Sequence, residues 1–134
     1  MTKINMTTNA SYNFRAPEIT ADADSKVEVV FPTNEAQSVT AAATIAVAIN
    51  RQVTVIDIGG MGANATINAT IGSDVERGAL LTVKGASDGT ARSMSFGTGF
   101  TAPAVAGTIS KTKVVSFIYD GSTFLPLAAA VQID

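Results

Sequence analysis

Apolar and polar residues alternate with a period of two along much of this chain. In "ATINATI", positions 65, 67, 69 and 71 are alanine or isoleucine, and threonine and asparagine fill the positions between them. A β-strand points successive side chains to opposite faces, so this pattern predicts a strand with one face buried. "KVEVVF" at 26–31 and "RSMSF" at 92–96 alternate in the same way.

Further strands are predicted where β-branched and aromatic residues cluster between turn residues. These runs are "VTVIDI" at 53–58, "ALLTV" at 79–83, "VVSFIY" at 114–119 and "AAVQI" at 129–133.

Residues 35–50, "EAQSVTAAATIAVAIN", are ambiguous, because their alanine content alone is compatible with a helix. The second half is rich in β-branched residues and predicts a strand. The alternation also continues across the turn at 50–52, because the apolar residues on both sides of it stand at odd-numbered positions: Val47, Ile49, Val53 and Val55.

Glycine, asparagine and aspartate separate these runs. Short strands spaced about 8 to 12 residues apart with such turns are typical of a β-sandwich or a small barrel. The predicted fold is therefore all-β, with a single β-sandwich of jelly-roll-like topology over residues 26–134.

Two Asp-Gly pairs are predicted to be structural turns. Asp120-Gly121 lies between "VVSFIY" and "TFLPL", and Asp88-Gly89 lies in "GASDGTA". Glycine accepts positive φ, and aspartate hydrogen-bonds its own backbone around a turn. We therefore interpret Tyr119-Asp120-Gly121 as the bend of a hairpin and not as a catalytic pair.

Residues 1–25 differ in kind: they are polar, lack a sustained period and contain Pro17. They predict an extended N-terminal arm. A polar terminus of this kind gains order by docking, so we expect the arm to contact a neighbouring subunit through its few larger apolar residues, Ile4, Met6, Tyr12, Phe14 and Ile19.

Composition narrows the possible chemistry. The 134 residues fit one domain, and the chain has no cysteine and no histidine. Thiol nucleophiles, disulfides and imidazole catalysis are thereby excluded. The net charge is −2 with scattered basic residues, which argues against a nucleic-acid partner. The longest small-and-apolar run, at 41–49, is too short to span a membrane, and the N-terminus lacks the apolar core of a signal peptide.

The candidate motifs favour structure over catalysis. "GGMG" at 59–62 and "GTG" at 97–99 lack the lysine and the helix of a phosphate-binding loop. "DAD" at 22–24 lacks the glycine and distal glutamate of a calcium loop. The two "NAT" sequons at 64–66 and 68–70 are read as the polar side of a strand. A two-carboxylate glycosidase remains formally open through Asp57, Asp74, Glu76, Asp88 and Asp120, but all except Asp57 lie in predicted turns. We expect no enzyme activity, cofactor or metal.

The order of these pieces resembles a β-sandwich module of tailed-bacteriophage structural proteins, chiefly fibre, head-fibre and capsid-decoration proteins. The resemblance covers residues 43–125. It is carried by Asn64 to Ile67, Gly78 to Val83, Asp88 to Thr90, Met94 to Phe96, Gly99-Phe100 and Phe117 to Gly121. Phe124 stands where the family usually has tryptophan, and the ending after Pro126 departs from its pattern.

The resemblance implies a virion structural protein, made in the host cytoplasm and placed on the capsid surface as a decoration or head-fibre subunit. It also implies binding to the major capsid protein or other virion proteins, and a homo-oligomer, with a trimer favoured. The alternative is a tail-fibre tip that recognises a host glycan or protein. The chain has no tryptophan and only two tyrosines, so it is poor in the aromatic platforms that sugars stack on.

Overall fold

The computed structural model describes residues 34–134 and two short strands nearer the N-terminus, β1 (Thr2–Lys3) and β2 (Val27–Glu28). The chain divides into two compact units, Met1–Pro32 and Thr33–Asp134. In the first unit β1 and β2 pair in parallel. The apolar residues of the predicted arm, Ile4, Met6, Tyr12, Phe14 and Ile19, lie outside the described residues.

The second unit is built from strands alone, and no helix capable of crossing a membrane occurs in the described part of the chain. The all-β prediction is confirmed. The strands are β3 (Asn34–Ser38), β4 (Thr44–Ile49), β5 (Val53–Met61), β6 (Ala65–Ile71), β7 (Leu80–Ser87), β8 (Met94–Phe96), β9 (Thr112–Tyr119), β10 (Phe124–Pro126) and β11 (Val131–Gln132).

From β3 to β9 the chain alternates between two sheets. The order β10-β9-β7-β5-β3, with β11 also on β9, makes a six-stranded sheet, and β4-β6-β8 makes a three-stranded one. Strands β3, β5 and β7 are parallel neighbours, as are β4, β6 and β8. Each pass through both sheets therefore adds one coil, as in a β-solenoid. Strand β9 reverses direction against β7, and this ends the parallel stack.

The jelly-roll-like part of the fold prediction is wrong, because a jelly roll consists of antiparallel strands. Alternation along a strand determines which face is buried but not which strand lies beside it. The short connections at 50–52 and 62–64 lead into the opposite sheet. From β4 to β7, each strand thus serves as the crossover between two parallel strands of the other sheet.

One core lies between the two sheets. The three-stranded sheet contributes Ile45, Val47, Ile49, Ala65, Ile67, Ala69 and Met94, and the six-stranded sheet contributes Ile56, Ile58, Met61, Leu81, Val83, Val115, Phe117 and Phe124. Aliphatic residues stack from coil to coil, Ile45 beside Ile67 and Ile56 beside Val83. Burial of this apolar surface is the main stabilising contribution.

Every aromatic residue between 34 and 134 joins one cluster at the C-terminal end of this core. Phe96, Phe100 and Phe117 have ring centroids 4.8 to 5.2 Å apart, and Phe124 lies 5.2 Å from Tyr119. The tilted and edge-on arrangements are those that aromatic pairs prefer. The hairpin strands thus carry Phe117 and Phe124 into the core.

Candidate assembly surface

The side of the six-stranded sheet that faces away from the core is unusually apolar. We call its part on β5, β7, β9 and the C-terminal segment the outer face, which comprises Val53, Val55 and Asp57 of β5, Leu80, Thr82 and Lys84 of β7, Val114, Ser116 and Ile118 of β9, and Leu125, Leu127, Val131 and Ile133. The edge strand β3 beside it presents Asn34, Ala36 and Ser38. Val53 and Val55 are each 41% exposed, Leu80 is 42% exposed and Val131 is 59% exposed. Large aliphatic side chains that remain this exposed do not contribute the free energy that full burial would give.

Strand register brings these residues into rows. Val53 pairs with Leu80, Leu80 with Ile118, and Ile118 with Leu125. Four branched aliphatic side chains on adjacent strands therefore form one continuous row across the sheet. In the next row Leu127 lies opposite Ser116, to whose carbonyl oxygen its N–H donates at 2.9 Å.

The polar groups of the outer face satisfy one another. The hydroxyls of Thr82 and Ser116 are hydrogen-bonded at 3.0 Å, and the Lys84 ammonium lies 2.9 Å from the Asp57 carboxylate. Both pairs occupy register-matched positions on neighbouring strands. When the face is covered, each of these groups keeps its partner, and the ion pair still carries a desolvation cost.

Asp57 also shapes the edge of this face. The hydrogen bond from Lys84 lowers the pKa of Asp57, and the backbone N–H of Gly59, which donates to Oδ1 at 2.9 Å, lowers it further. Gly59 has φ of 70°, and the β5–β7 register shifts between Asp57 and Gly60. The carboxylate therefore stabilises a β-bulge and has a structural partner on each side.

The two sheets differ in what they present to solvent. The outward positions of β6 are Thr66, Asn68 and Thr70, which suit contact with water. In contrast, β5, β7 and β9 carry aliphatic side chains on both faces. Aliphatic residues on both faces are typical of strands that are covered on both sides.

A second apolar feature is a groove of about 350 Å³ at the C-terminal end of the core. Its floor is formed by Lys113, Val115 and Phe117, and its walls by residues 102–106 and 128–130. The walls consist mainly of alanine, with Pro103 and Val105. Lys113 is the single charged residue among those lining the groove.

Asp88 and Gly89, predicted as a turn, lie in the connection from β7 to β8. Asp88 accepts hydrogen bonds from the Thr90 N–H at 2.8 Å and from Arg92 Nε and Nη2 at 2.9 and 2.8 Å. The Arg92 side chain, followed by the Thr90 N–H, lowers the pKa of Asp88. The carboxylate is engaged in closing its own loop.

Asp120 and Gly121 lie in the connection between β9 and β10, which pair as an antiparallel hairpin. Asp120 Oδ1 accepts the N–H groups of Ser122 and Thr123, each at 2.8 Å, and these bonds lower the pKa of Asp120, with Thr123 contributing most. Gly121 has φ of 98°, in the region that glycine adopts without strain.

The carboxylates considered for a glycosidase lie in different parts of the fold: Asp57 on β5, Asp74 and Glu76 between β6 and β7, Asp88 between β7 and β8, and Asp120 between β9 and β10. Asp57, Asp88 and Asp120 are each held by local partners, as described above. Among the described residues, no three or more acidic residues group in a way that could hold a metal ion.

The outer face is the candidate functional surface that sequence reasoning missed. A signal for it was present, because "VTVIDI" and "ALLTV" carry aliphatic residues at both parities. Comparison with protein-family models, with curated proteins and with solved structures gives no match to this chain.

Proposed function

We propose that this protein is a virion structural protein of a tailed bacteriophage, a capsid-decoration or head-fibre subunit of β-sandwich type that adds contacts between virion proteins. The observation that carries the proposal is the outer face, whose exposed aliphatic rows and internally paired polar groups favour assembly. Contiguous apolar patches of this kind mark protein–protein contacts.

The residues behind the phage-module resemblance support an architectural role. Three glycines of that pattern, Gly78, Gly99 and Gly121, have φ values of 96°, 87° and 98°. Phe100 and Phe117 of the same pattern pack in the aromatic cluster, 5.2 Å apart. The pattern thus consists largely of residues that the backbone and core require, and it carries no ligand site by itself.

The fibre-tip alternative has weaker support. A sugar-binding tip needs an aromatic ring whose face is open to the ligand. Among residues 34–134 the aromatic side chains all belong to the internal cluster, and Tyr119 lies against Phe124. The groove walls of alanine and proline likewise offer few groups that could hydrogen-bond a sugar.

A head-binding assay tests the proposal. Purified phage heads that lack the protein are mixed with the full-length chain and separated by sedimentation, and we expect saturable co-sedimentation. Electron microscopy of the decorated heads then locates the subunit. Failure to bind heads, combined with binding to host cells, would favour the fibre-tip alternative.

The predicted arm can be tested in the same assay. A variant lacking residues 1–24 is compared with the full-length chain after circular dichroism has shown that both contain the same β-structure. If the arm attaches the subunit to the head, the truncated protein loses binding to heads. Unchanged occupancy would assign attachment to the second unit alone.

A further inference from the structure

We propose that the outer face is covered by the outer faces of other copies of this same chain. This inference rests on the proposed assembly role and names the partner that occupies its surface.

The strands indicate first that the face is covered. Strands β5, β7 and β9 include aliphatic side chains on both faces, whereas the outward residues of β6 are threonine and asparagine. Within one molecule the inner aliphatic residues are buried, but Val53, Val55 and Leu80 remain 41 to 42% exposed. Covering them would recover the free energy of apolar burial that the isolated chain leaves unused.

The chemistry of the face then selects its partner. Its charges, Asp57 and Lys84, cancel at 2.9 Å, and its hydroxyls, Thr82 and Ser116, bond each other at 3.0 Å. A strongly charged partner would find no net charge to complement its own and would lose its hydration. The matching surface must be apolar and neutral overall. The outer face of a second copy has this composition, so symmetric self-association satisfies both sides at once.

The dimensions are compatible with reversible self-association. From the strand and residue spacings of a sheet, the rows cover roughly 20 Å by 20 Å, or about 400 Å² on each copy. Two such faces bury about 800 Å² before flanking loops contribute, which lies at the lower end for specific complexes. We therefore expect an oligomer whose population depends on concentration in the micromolar range.

The test is sedimentation equilibrium of the full-length protein from about 1 to about 100 µM, the range in which such an interface should dissociate. Val55→Lys and Leu80→Lys each place a charge in the centre of the face at positions already open to solvent. Ala46→Lys is the matched control. Ala46 is exposed on β4, so this substitution introduces the same charge on the other sheet. Far-UV circular dichroism and thermal unfolding verify that all variants fold.

We expect the wild type and Ala46→Lys to form the same dimer or trimer, and the two outer-face variants to dissociate at concentrations at least about tenfold higher. A wild type that stays monomeric throughout, or folded outer-face variants that associate as well as Ala46→Lys, would overturn the inference. Head binding is measured separately. If the wild type is monomeric and decorates heads, and Val55→Lys abolishes that binding, the proposed function stands. The outer face would then contact another virion protein.

Discussion

Gly99 packs directly against Ala69, so closely that a Cβ atom on Gly99 would lie 2.7 Å from the carbonyl oxygen of Ala69. The neighbouring backbone bonds hold this approach: the Ala69 N–H donates to the Thr98 carbonyl at 2.8 Å, and the Phe124 N–H donates to the Gly99 carbonyl at 2.9 Å. Gly99 thus joins the three-stranded sheet to the hairpin strand β10.

Replacing Gly99 by alanine should therefore destabilise the protein by about 2 kcal/mol or more, because the new methyl group meets backbone and φ is 87°. Urea unfolding measures the change. The matched control is Gly89→Ala, whose Cβ would meet nothing within 4 Å and which lacks positive φ. It should change stability by no more than about 0.5 kcal/mol. Equal losses for both variants would contradict this account of Gly99.

Gly121 tests the hairpin turn separately, since space around it is open and only its φ of 98° is demanding. We expect Gly121→Val to cost about 1 to 2 kcal/mol, because β-branched residues are strained at positive φ. Gly121→Asn should cost clearly less, as asparagine tolerates this region. An unchanged melting temperature in the valine variant would rule out the conformational requirement.

Thr54 of β5 faces the core between the two sheets and is 1% exposed. Its hydroxyl has no hydrogen-bond partner among the described residues. Thr54→Val should raise the free energy of unfolding by about 1 kcal/mol, because it removes a desolvated polar atom and keeps the branched shape. Thr82→Val, which breaks the bond to Ser116, should give no gain. A loss of stability in Thr54→Val would mean that the hydroxyl has a partner such as a buried water.

The turn carboxylates predict how stability depends on pH. Hydrogen bonds lower the pKa of Asp88 and of Asp120 below the ordinary value of 3.8. The unfolded chain therefore takes up protons first as the pH falls, and stability decreases from about pH 4 down through the lower folded-state values. Above that window the contribution is fully present. Urea unfolding at a series of pH values should show a shallower decline in Asp88→Asn and Asp120→Asn. Curves parallel to the wild type would show that other groups control acid unfolding.

Local pattern predicted the buried faces well where one side of a strand is polar. Ala65, Ile67 and Ala69 are buried as the alternation of β6 indicates, and Asn68 lies on the outward side as the "NAT" interpretation required. β4 is a strand, as its β-branched residues predicted. In each case the physical cause lies within a few residues, where a period of two is sufficient evidence.

The same reasoning failed where the answer depends on distant parts of the chain. Val47 and Ile49 face the core, whereas Val53 and Val55 face outward, because the turn at 50–52 carries the chain into the other sheet and resets the parity. Strand β3 was not predicted, since its inward residues include Glu35 and Gln37. Gln37 is accommodated because its amide donates to the Ala48 carbonyl at 2.7 Å, a contact that no local pattern specifies.

Asn68 links two coils through a single side chain. Its Oδ1 accepts the backbone N–H of Thr98 at 2.9 Å, thirty residues along the chain. Asn64 makes the equivalent bond to the Ser93 N–H at 3.0 Å. These asparagines satisfy backbone donors in loops where no strand partner is available, a role suited to a short amide acceptor.

Asn68→Ala should therefore lower the free energy of unfolding by about 1 to 2 kcal/mol, because it leaves the Thr98 N–H without its acceptor. Thr70→Ala, at an exposed position on the same side of β6, is the control and should change stability by no more than about 0.5 kcal/mol. Hydrogen exchange gives the decisive measurement: the Thr98 amide should lose protection in Asn68→Ala, while the Ile67 amide inside β6 keeps it. If the Thr98 amide exchanged equally in the wild type and the variant, the inter-coil bond would not contribute to stability.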